Sequence, residues 1–130
     1  MNTSESNRPR LLLVDDDEIF LDDVTLLLER DFECVCETDP DAAVGVAESA
    51  KPDAVLLDLD FDGVMLGFDV LAELRKAFPT LRIFLWTDAN EEDVWPRGRE
   101  LGATGLLSKT TPPREILKRL ADARSPDPSV

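Results

Sequence analysis

Short apolar segments alternate with longer amphipathic ones along this 130-residue chain. Apolar runs of four to six residues that stop at turn residues are typical of buried strands in a parallel sheet. The longer segments carry apolar residues at a spacing of three or four, which indicates helices with one buried face. Strand and helix signals alternate five times. The pattern therefore predicts a single α/β domain with a parallel sheet and a layer of helices on each face.

Polar residues follow most of the predicted strands, which cover the ranges 11–14, 32–37, 54–58, 81–86 and 104–107. In an open α/β sheet, ligands bind just beyond the carboxyl ends of the strands. The chemistry-bearing residues at these ends are Asp15, Asp16, Asp58, Thr87 and Lys109. We expect all of them to line one edge of the sheet.

Caps and prolines mark the predicted helices. Asp17 is a potential N-cap for a first helix whose buried face is predicted to hold Ile19, Phe20, Val24, Leu27 and Leu28. The fourth helix is predicted over 90–101, with Gly102 closing it. This helix contains Pro96 and a glycine, which cost about 3 and nearly 1 kcal/mol in a helix interior. We therefore expect it to be kinked, short or to begin near Pro96.

The composition excludes several classes of function. The formal net charge is −14, and no basic stripe offsets it, so the surface repels nucleic acid and anionic membranes. The chain has no histidine, which removes the commonest general base and zinc ligand. The two cysteines, Cys34 and Cys36, form a C-x-C pair on one strand face and are predicted to be small buried side chains rather than a metal or redox site.

The start of the chain is polar and contains no signal-peptide pattern, and no apolar stretch approaches the roughly 18 residues that span a bilayer. We expect a soluble cytoplasmic protein. The predicted organisation is a flexible tail over 1–9, one domain over 10–123, and a tail or truncated linker over 124–130.

Together, the strand-end residues are suited to form a binding site for a phosphoryl group. Carboxylates that converge on one point repel each other unless a cation lies among them, and hard oxygen ligands favour Mg²⁺. A nearby hydroxyl and ammonium, Thr87 and Lys109, are suited to phosphoryl oxygens. An aspartate can itself be the nucleophile and form an aspartyl phosphate, and Asp58 is the best placed.

Four segments hold these residues: LLLVDDDE, AVLLDLD, FLWTDA and GLLSK. In this order and spacing, over about residues 10–123, they resemble the receiver domain of bacterial two-component response regulators. The resemblance implies a flavodoxin-like, doubly wound five-stranded sheet of order 2-1-3-4-5 with five helices. It also implies a phosphorelay signalling phosphoprotein rather than an enzyme, with self-dephosphorylation as the only turnover.

The resemblance assigns a role to each site residue. Asp58 matches the phosphoacceptor for a histidine kinase or phosphotransfer protein. Asp15 and Asp16 match the acidic pair that holds Mg²⁺, completed by Asp58 and the main-chain carbonyl of Asp60. Thr87 and Lys109 match the hydroxyl and lysine that contact the phosphoryl group. The face formed by the fourth helix, fifth strand and fifth helix is the expected output or dimer surface. Both a stand-alone receiver and one cut from a larger regulator remain open.

The sequence departs from the receiver pattern in three places. The loop after Asp58 lacks the usual proline, and aligning Gly67 with the family's glycine requires one extra residue. The acids of this loop, Asp60 and Asp62, are predicted to raise metal affinity or bring a second cation. Leu106 stands where many receivers carry a switch aromatic. Thr110 replaces the proline that usually follows the lysine, so we expect a trans peptide bond after Lys109.

The acidic loop also supports other interpretations. Its spacing from Asp58 to Asp69 fits an EF-hand loop, but the preceding segment is predicted to be a strand where an EF-hand needs a helix. The segment starting at Asp60 resembles the nucleophile motif of haloacid-dehalogenase-like phosphatases, although the order of the acidic clusters is reversed. A receiver-like interaction module that is not phosphorylated is a third alternative.

Overall fold

Five short strands form one parallel sheet in the order β2-β1-β3-β4-β5, as predicted. The computed structural model describes residues 8–124, so the predicted tails at 1–9 and 124–130 lie largely outside the described residues. The strands are β1 (Arg10–Val14), β2 (Glu33–Glu37), β3 (Ala54–Asp58), β4 (Arg82–Trp86) and β5 (Gly105–Leu107). The helices are α1 (Glu18–Leu28), α2 (Ala43–Ala50, preceded by a 3₁₀ turn over Pro40–Ala42), α3 (Gly67–Ala77), α4 (Glu91–Glu100) and α5 (Pro113–Arg124).

A hydrophobic core lies on each face of the sheet. Alternate residues of β1 contribute to opposite cores: Leu11 and Leu13 join the side chains of α1 and α5, whereas Leu12 and Val14 join those of α2 and α3. All four are fully buried, and each such side chain contributes about 1.5–3 kcal/mol by leaving water. Because both faces are covered, the central strands are continuous apolar runs, and only their carboxyl ends can carry polar chemistry.

Helix α1 begins where the sequence predicts, but its buried face is different. The Asp17 side chain accepts a hydrogen bond from the Phe20 N–H at 3.0 Å, which confirms the N-cap. The buried residues are Leu21, Val24 and Leu28, whereas Ile19 and Leu27 are 75% and 55% exposed. The prediction for those two residues was wrong because the helix carries apolar residues around most of its circumference. Leu21, Val24 and Leu28 form the face that packs against the sheet.

Helix α4 runs through its proline. It extends from Glu91 to Glu100 with Pro96 inside, close to the predicted range 90–101, and of the three alternatives for this helix a start near Pro96 is wrong. Asn90 occupies the N-cap position without a side-chain capping bond, and Gly102, at φ +100°, follows the helix as predicted. Gly98 is buried, and a Cβ there would lie 2.4 Å from Leu85 Cδ1. The glycine therefore lets α4 pack closely against β4.

The cysteines of β2 are more exposed than predicted, because β2 is an edge strand. Cys34 is half-buried against the core of α1 and α5, and Cys36 is exposed with its Sγ 3.4 Å from Thr25 Oγ1. Burial, and secondarily Cys36, raises the pKa of the Cys34 thiol to about 12. A thiol that holds its proton so firmly is a poor nucleophile and metal ligand.

Over the described residues, no helix has the length and apolar character needed to cross a bilayer.

Candidate functional site

The carboxyl ends of β1, β3, β4 and β5 open into one acidic cleft of about 550 Å³. The structure brings together in it all of the strand-end residues that the sequence singles out, Asp15, Asp16, Asp58, Thr87 and Lys109. Asp60 and Asp62 of the following loop line the same cleft. The convergence follows from the topology, because β1 and β3 are neighbours and parallel strands end at the same edge.

Lys109 is paired with two buried carboxylates. Its Nζ lies 2.6 Å from Asp15 Oδ2 and 3.2 Å from Asp58 Oδ1. Burial, and then the neighbouring charge of Asp15, raises the pKa of Asp58 from its usual 3.8 to about 6, although Lys109 opposes both effects. Burial lowers the pKa of Lys109, but the hydrogen bonds and charges of the two carboxylates outweigh it, and the pKa is raised overall. The site therefore holds more negative charge than its lysine compensates.

The same carboxylates fit a divalent cation. Carboxylate oxygens of Asp15, Asp16 and Asp58 lie within 4.8 Å of one another. Asp15 and Asp58 are buried, whereas Asp16 is exposed and its Oδ2 accepts a hydrogen bond from the Asp62 N–H at 2.7 Å. A set of hard oxygen donors that is open to solvent on one side suits Mg²⁺, which keeps several of its waters.

The acidic loop between β3 and α3 contains a tight hairpin. Phe61 and Val64 exchange backbone hydrogen bonds of 2.8 and 3.0 Å, and the two residues between them, Asp62 and Gly63, have φ values of +57° and +83°. These features are those of a two-residue turn of type I′, for which Asp-Gly is a preferred sequence. The Asp60 carboxylate accepts a hydrogen bond from the Gly63 N–H at 2.8 Å. The Asp-Gly pair between two apolar residues is a sequence signal for this hairpin, although the hairpin was not predicted.

The EF-hand interpretation of this loop is wrong. The segment before Asp58 is β3, with every residue buried in the sheet, and not a helix. The loop after it closes through the hairpin, which directs the backbone N–H of Asp62 toward Asp16. The calcium-loop spacing is therefore a coincidence of a run of acids that follows a strand.

Gly67 brings α3 close to the backbone of the predicted phosphoacceptor. Its N–H donates a 2.9 Å hydrogen bond to the Leu59 carbonyl. A Cβ on Gly67 would lie 2.4 Å from both the Asp58 carbonyl oxygen and Leu59 Cα. Only glycine fits such a close approach between two backbone segments, which gives a physical reason for a glycine at this position of the loop.

Thr87 ends β4 with its hydroxyl beside the acids. The residue is 8% exposed, and its N–H continues the β4–β5 ladder by donating to the Leu107 carbonyl at 2.9 Å. Its Oγ1 accepts a hydrogen bond from the Ala89 N–H at 3.1 Å. The hydroxyl proton is not used by that bond and is available to a further acceptor in the cleft.

Two features of the lysine's surroundings were not predicted. Lys109 Nζ lies 5.2 Å from the ring centroid of Phe20 and 5.9 Å from that of Trp86, and these rings contact each other at 4.9 Å. The Asp88 carboxylate accepts hydrogen bonds from the Lys109 loop.

All peptide bonds of the described residues are trans, including the one after Lys109, as predicted. Leu106 is half-buried in the core of α2 and α3.

The comparisons with known proteins agree with the geometry. The sequence matches the family described as response regulator receiver domain over residues 11–121. It is 35% identical over 111 residues to the sensory transduction protein RegX3 of Mycobacterium tuberculosis, covering 85% of this chain and 48% of that protein. It is 33% identical over 116 residues to the nitrate/nitrite response regulator NarL of Escherichia coli, covering 87% and 53%. The chain thus spans about half the length of these relatives.

Solved structures share the fold. The chemotaxis protein CheY4 of Vibrio cholerae superposes with a TM-score of 0.81 at 26% identity, over 88% of this chain and 97% of that one. The receiver domain of NtrX from Brucella abortus gives a TM-score of 0.80 at 23% identity, over 90% and 99%, which supports the fold alone. The family match covers most of the sequence and includes every strand-end residue of the cleft. The chain belongs to the response regulator receiver domain family.

Proposed function

We propose that this receiver is a Mg²⁺-dependent phosphoacceptor switch in which Asp58 takes a phosphoryl group from a phosphohistidine of a partner histidine kinase or phosphotransfer protein. The observation that carries the proposal is the position of Asp58 at the end of β3. Its carboxylate is in contact with Lys109 and within 4.8 Å of two further carboxylates that suit a divalent cation. Asp15 has the same neighbours, but Asp58 is on the central strand β3, between the acids that follow β1 and the Thr87 hydroxyl that follows β4.

The residues of the cleft supply the parts of an in-line displacement. A carboxylate oxygen of Asp58 forms a bond to phosphorus, while the bond from phosphorus to the imidazole nitrogen breaks and the imidazole leaves with the bonding electrons. Asp15, Asp16, Asp58 and the carbonyl of Asp60 would hold Mg²⁺, which when bound neutralises charge on the phosphoryl oxygens. The Lys109 ammonium pairs with another of these oxygens.

Thr87 and Lys109 also provide the switch. The Thr87 hydroxyl already accepts the Ala89 N–H and can donate its own proton to a phosphoryl oxygen without giving up that bond. Lys109 can exchange a carboxylate partner for the phosphoryl group. Thr87 follows β4, which leads to α4, and Lys109 follows β5, which leads to α5. Movement of these two residues therefore shifts the populations of the conformations of the face formed by α4, β5 and α5, which is the proposed output or dimer surface.

The charge of the chain supports a protein partner for this domain. A net charge of −14 opposes binding of this domain to nucleic acid. We propose no enzymatic turnover besides hydrolysis of the acyl phosphate. The phosphatase alternative has no support from the site, because the Asp60 carboxylate is exposed and bonded to the hairpin turn.

Phosphorylation by acetyl phosphate with Mg²⁺, followed by intact mass, tests the proposal. The wild type is expected to gain one phosphoryl mass, and Asp58→Ala to gain none, while Asp60→Ala serves as the matched control that still gains it. A phosphoryl mass on Asp58→Ala contradicts the assignment. Turnover of a phosphate ester that Asp60→Asn abolishes and Asp58→Asn retains would support the phosphatase instead, and failure to bind Mg²⁺ would support the interaction module.

A further inference from the structure

The Asp88 carboxylate joins two loops at the edge of the cleft. Its Oδ1 accepts hydrogen bonds from Ser108 Oγ and from the backbone N–H of Lys109, both at 3.0 Å. Ser108 Oγ in turn lies 2.8 Å from Thr110 Oγ1 and accepts the Thr110 N–H at 3.1 Å. One side chain directly after Thr87 therefore holds the segment that carries the lysine.

This segment has few other constraints. Strand β5 has only three residues, lies at the edge of the sheet and pairs with β4 alone. The residue after Lys109 is Thr110 with a trans peptide bond, so no proline ring restricts the backbone here. Ser108 and Thr110 are both exposed to solvent. Among the described contacts of this loop, the hydrogen bond to Asp88 connects the Lys109 backbone to the end of β4.

We propose that Asp88 is a positioning residue, which fixes the backbone of Lys109 so that its ammonium is held over Asp58 and the incoming phosphoryl group. This inference rests on the proposed function. A lysine side chain has many rotamers, and fixing its Cα reduces the freedom that must be lost to place Nζ against Asp15 and Asp58. Asp88 also connects Lys109 with Thr87, so the two residues that contact the phosphoryl group move as one unit.

Asp88 has a second, opposing effect, because its negative charge also lines the cleft that receives a phosphoryl anion. Two substitutions separate the effects. Asp88→Asn removes the charge but keeps a side-chain oxygen that can accept both hydrogen bonds, whereas Asp88→Ala removes the charge and the bonds. Asp93→Ala, at an exposed acid in the first turn of α4, removes the same charge without touching the lysine loop and is the matched control.

The test measures the rate constant of phosphorylation by acetyl phosphate at saturating Mg²⁺. Asp88→Ala is expected to lower it roughly tenfold, because a displacement of about 1 Å in a catalytic group can cost up to about 100-fold in rate. Asp88→Asn and Asp93→Ala should stay within about twofold of the wild type, since neither loses the positioning bonds. In a Lys109→Ala background, Asp88→Ala should not lower the rate further, whereas a residue that acts only on folding would lower it in both backgrounds.

Two rate measurements overturn the inference: an unchanged rate in Asp88→Ala, or the same loss with and without Lys109. Hydrogen exchange of the Lys109 amide in the unphosphorylated protein provides a separate measurement, with faster exchange expected in Asp88→Ala and not in Asp88→Asn. Equal exchange in all variants also overturns it. If the wild type takes up no phosphoryl group, the proposed function fails, and the exchange data still show whether Asp88 fixes the loop.

Discussion

The crowded charges of the cleft predict that the metal-free protein becomes more stable when Asp58 loses its charge. Asp58→Asn keeps the size and shape of the side chain and removes the carboxylate. Burial and the charge of Asp15 raise the pKa of Asp58 from 3.8 to about 6, which means that the folded state disfavours the ionised form. At neutral pH the wild type must hold that charge, whereas the variant does not.

The pKa gives the magnitude and the sign. A shift of one unit corresponds to 1.36 kcal/mol, so a rise from 3.8 to about 6 sets an upper limit of about 3 kcal/mol. Solvent in the open cleft reduces it, and we expect a gain of about 1–3 kcal/mol for Asp58→Asn above pH 7. Because the folded state binds this proton more tightly than the unfolded state, the wild type gains stability as the pH falls from above 6 toward 4. The difference between the proteins should shrink over the same window.

Urea unfolding in EDTA at pH 7.5 and pH 5 measures both effects. Asp62→Asn is the control, because it removes an exposed acid of the same cleft and should change the free energy of unfolding by no more than about 0.5 kcal/mol at either pH. Added Mg²⁺ should stabilise the wild type by mass action and reduce the advantage of Asp58→Asn. A variant no more stable than the wild type at pH 7.5, or an advantage equally large at pH 5, would refute the reasoning.

Two further substitutions test the loop after β3. Gly67→Ala should destabilise the fold by roughly 2–4 kcal/mol in urea unfolding, because its Cβ meets backbone atoms of Asp58 and Leu59 that have no room to move, and a loss below about 1 kcal/mol would contradict this packing. Asp62→Asn should weaken Mg²⁺ binding in calorimetric titration about two- to threefold, because it removes one screened charge of the cleft, and unchanged affinity would show that this acid does not contribute.

The sequence predicted the site more completely than the surfaces around it. Buried strands can be recognised from uninterrupted apolar runs, and the parallel arrangement then forces their carboxyl ends to one edge. Asp15, Asp58 and Lys109 could therefore be placed together without knowledge of any contact between them. The hairpin at Asp62 and Gly63 was also predictable, since its local sequence determines the turn.

Other features depend on contacts that local patterns do not encode. Helix α1 has apolar residues on several sides, and only its packing against the sheet decides that Leu21 is buried and Ile19 exposed. The bond from Ser108 to Asp88 joins residues 20 positions apart and depends on how two loops meet. The contact of Lys109 with the Phe20 ring similarly depends on the direction in which a long side chain turns.

Two carboxylates of the cleft accept hydrogen bonds from backbone N–H groups of the surrounding loops. The charge in the cleft is therefore coupled to the conformation of these loops. Asp16 accepts the N–H of Asp62 in the hairpin, and Asp88 accepts the N–H of Lys109 after β5. A cation that binds Asp16 competes with the first bond for the same carboxylate, and a phosphoryl group that attracts Lys109 pulls against the second. Cation binding and phosphorylation would each change the relative free energies of the loop conformations through a local electrostatic contact. Such a change in relative free energies shifts the populations of the conformations. On the proposed function, the loops respond because acids of the site also serve as their anchors.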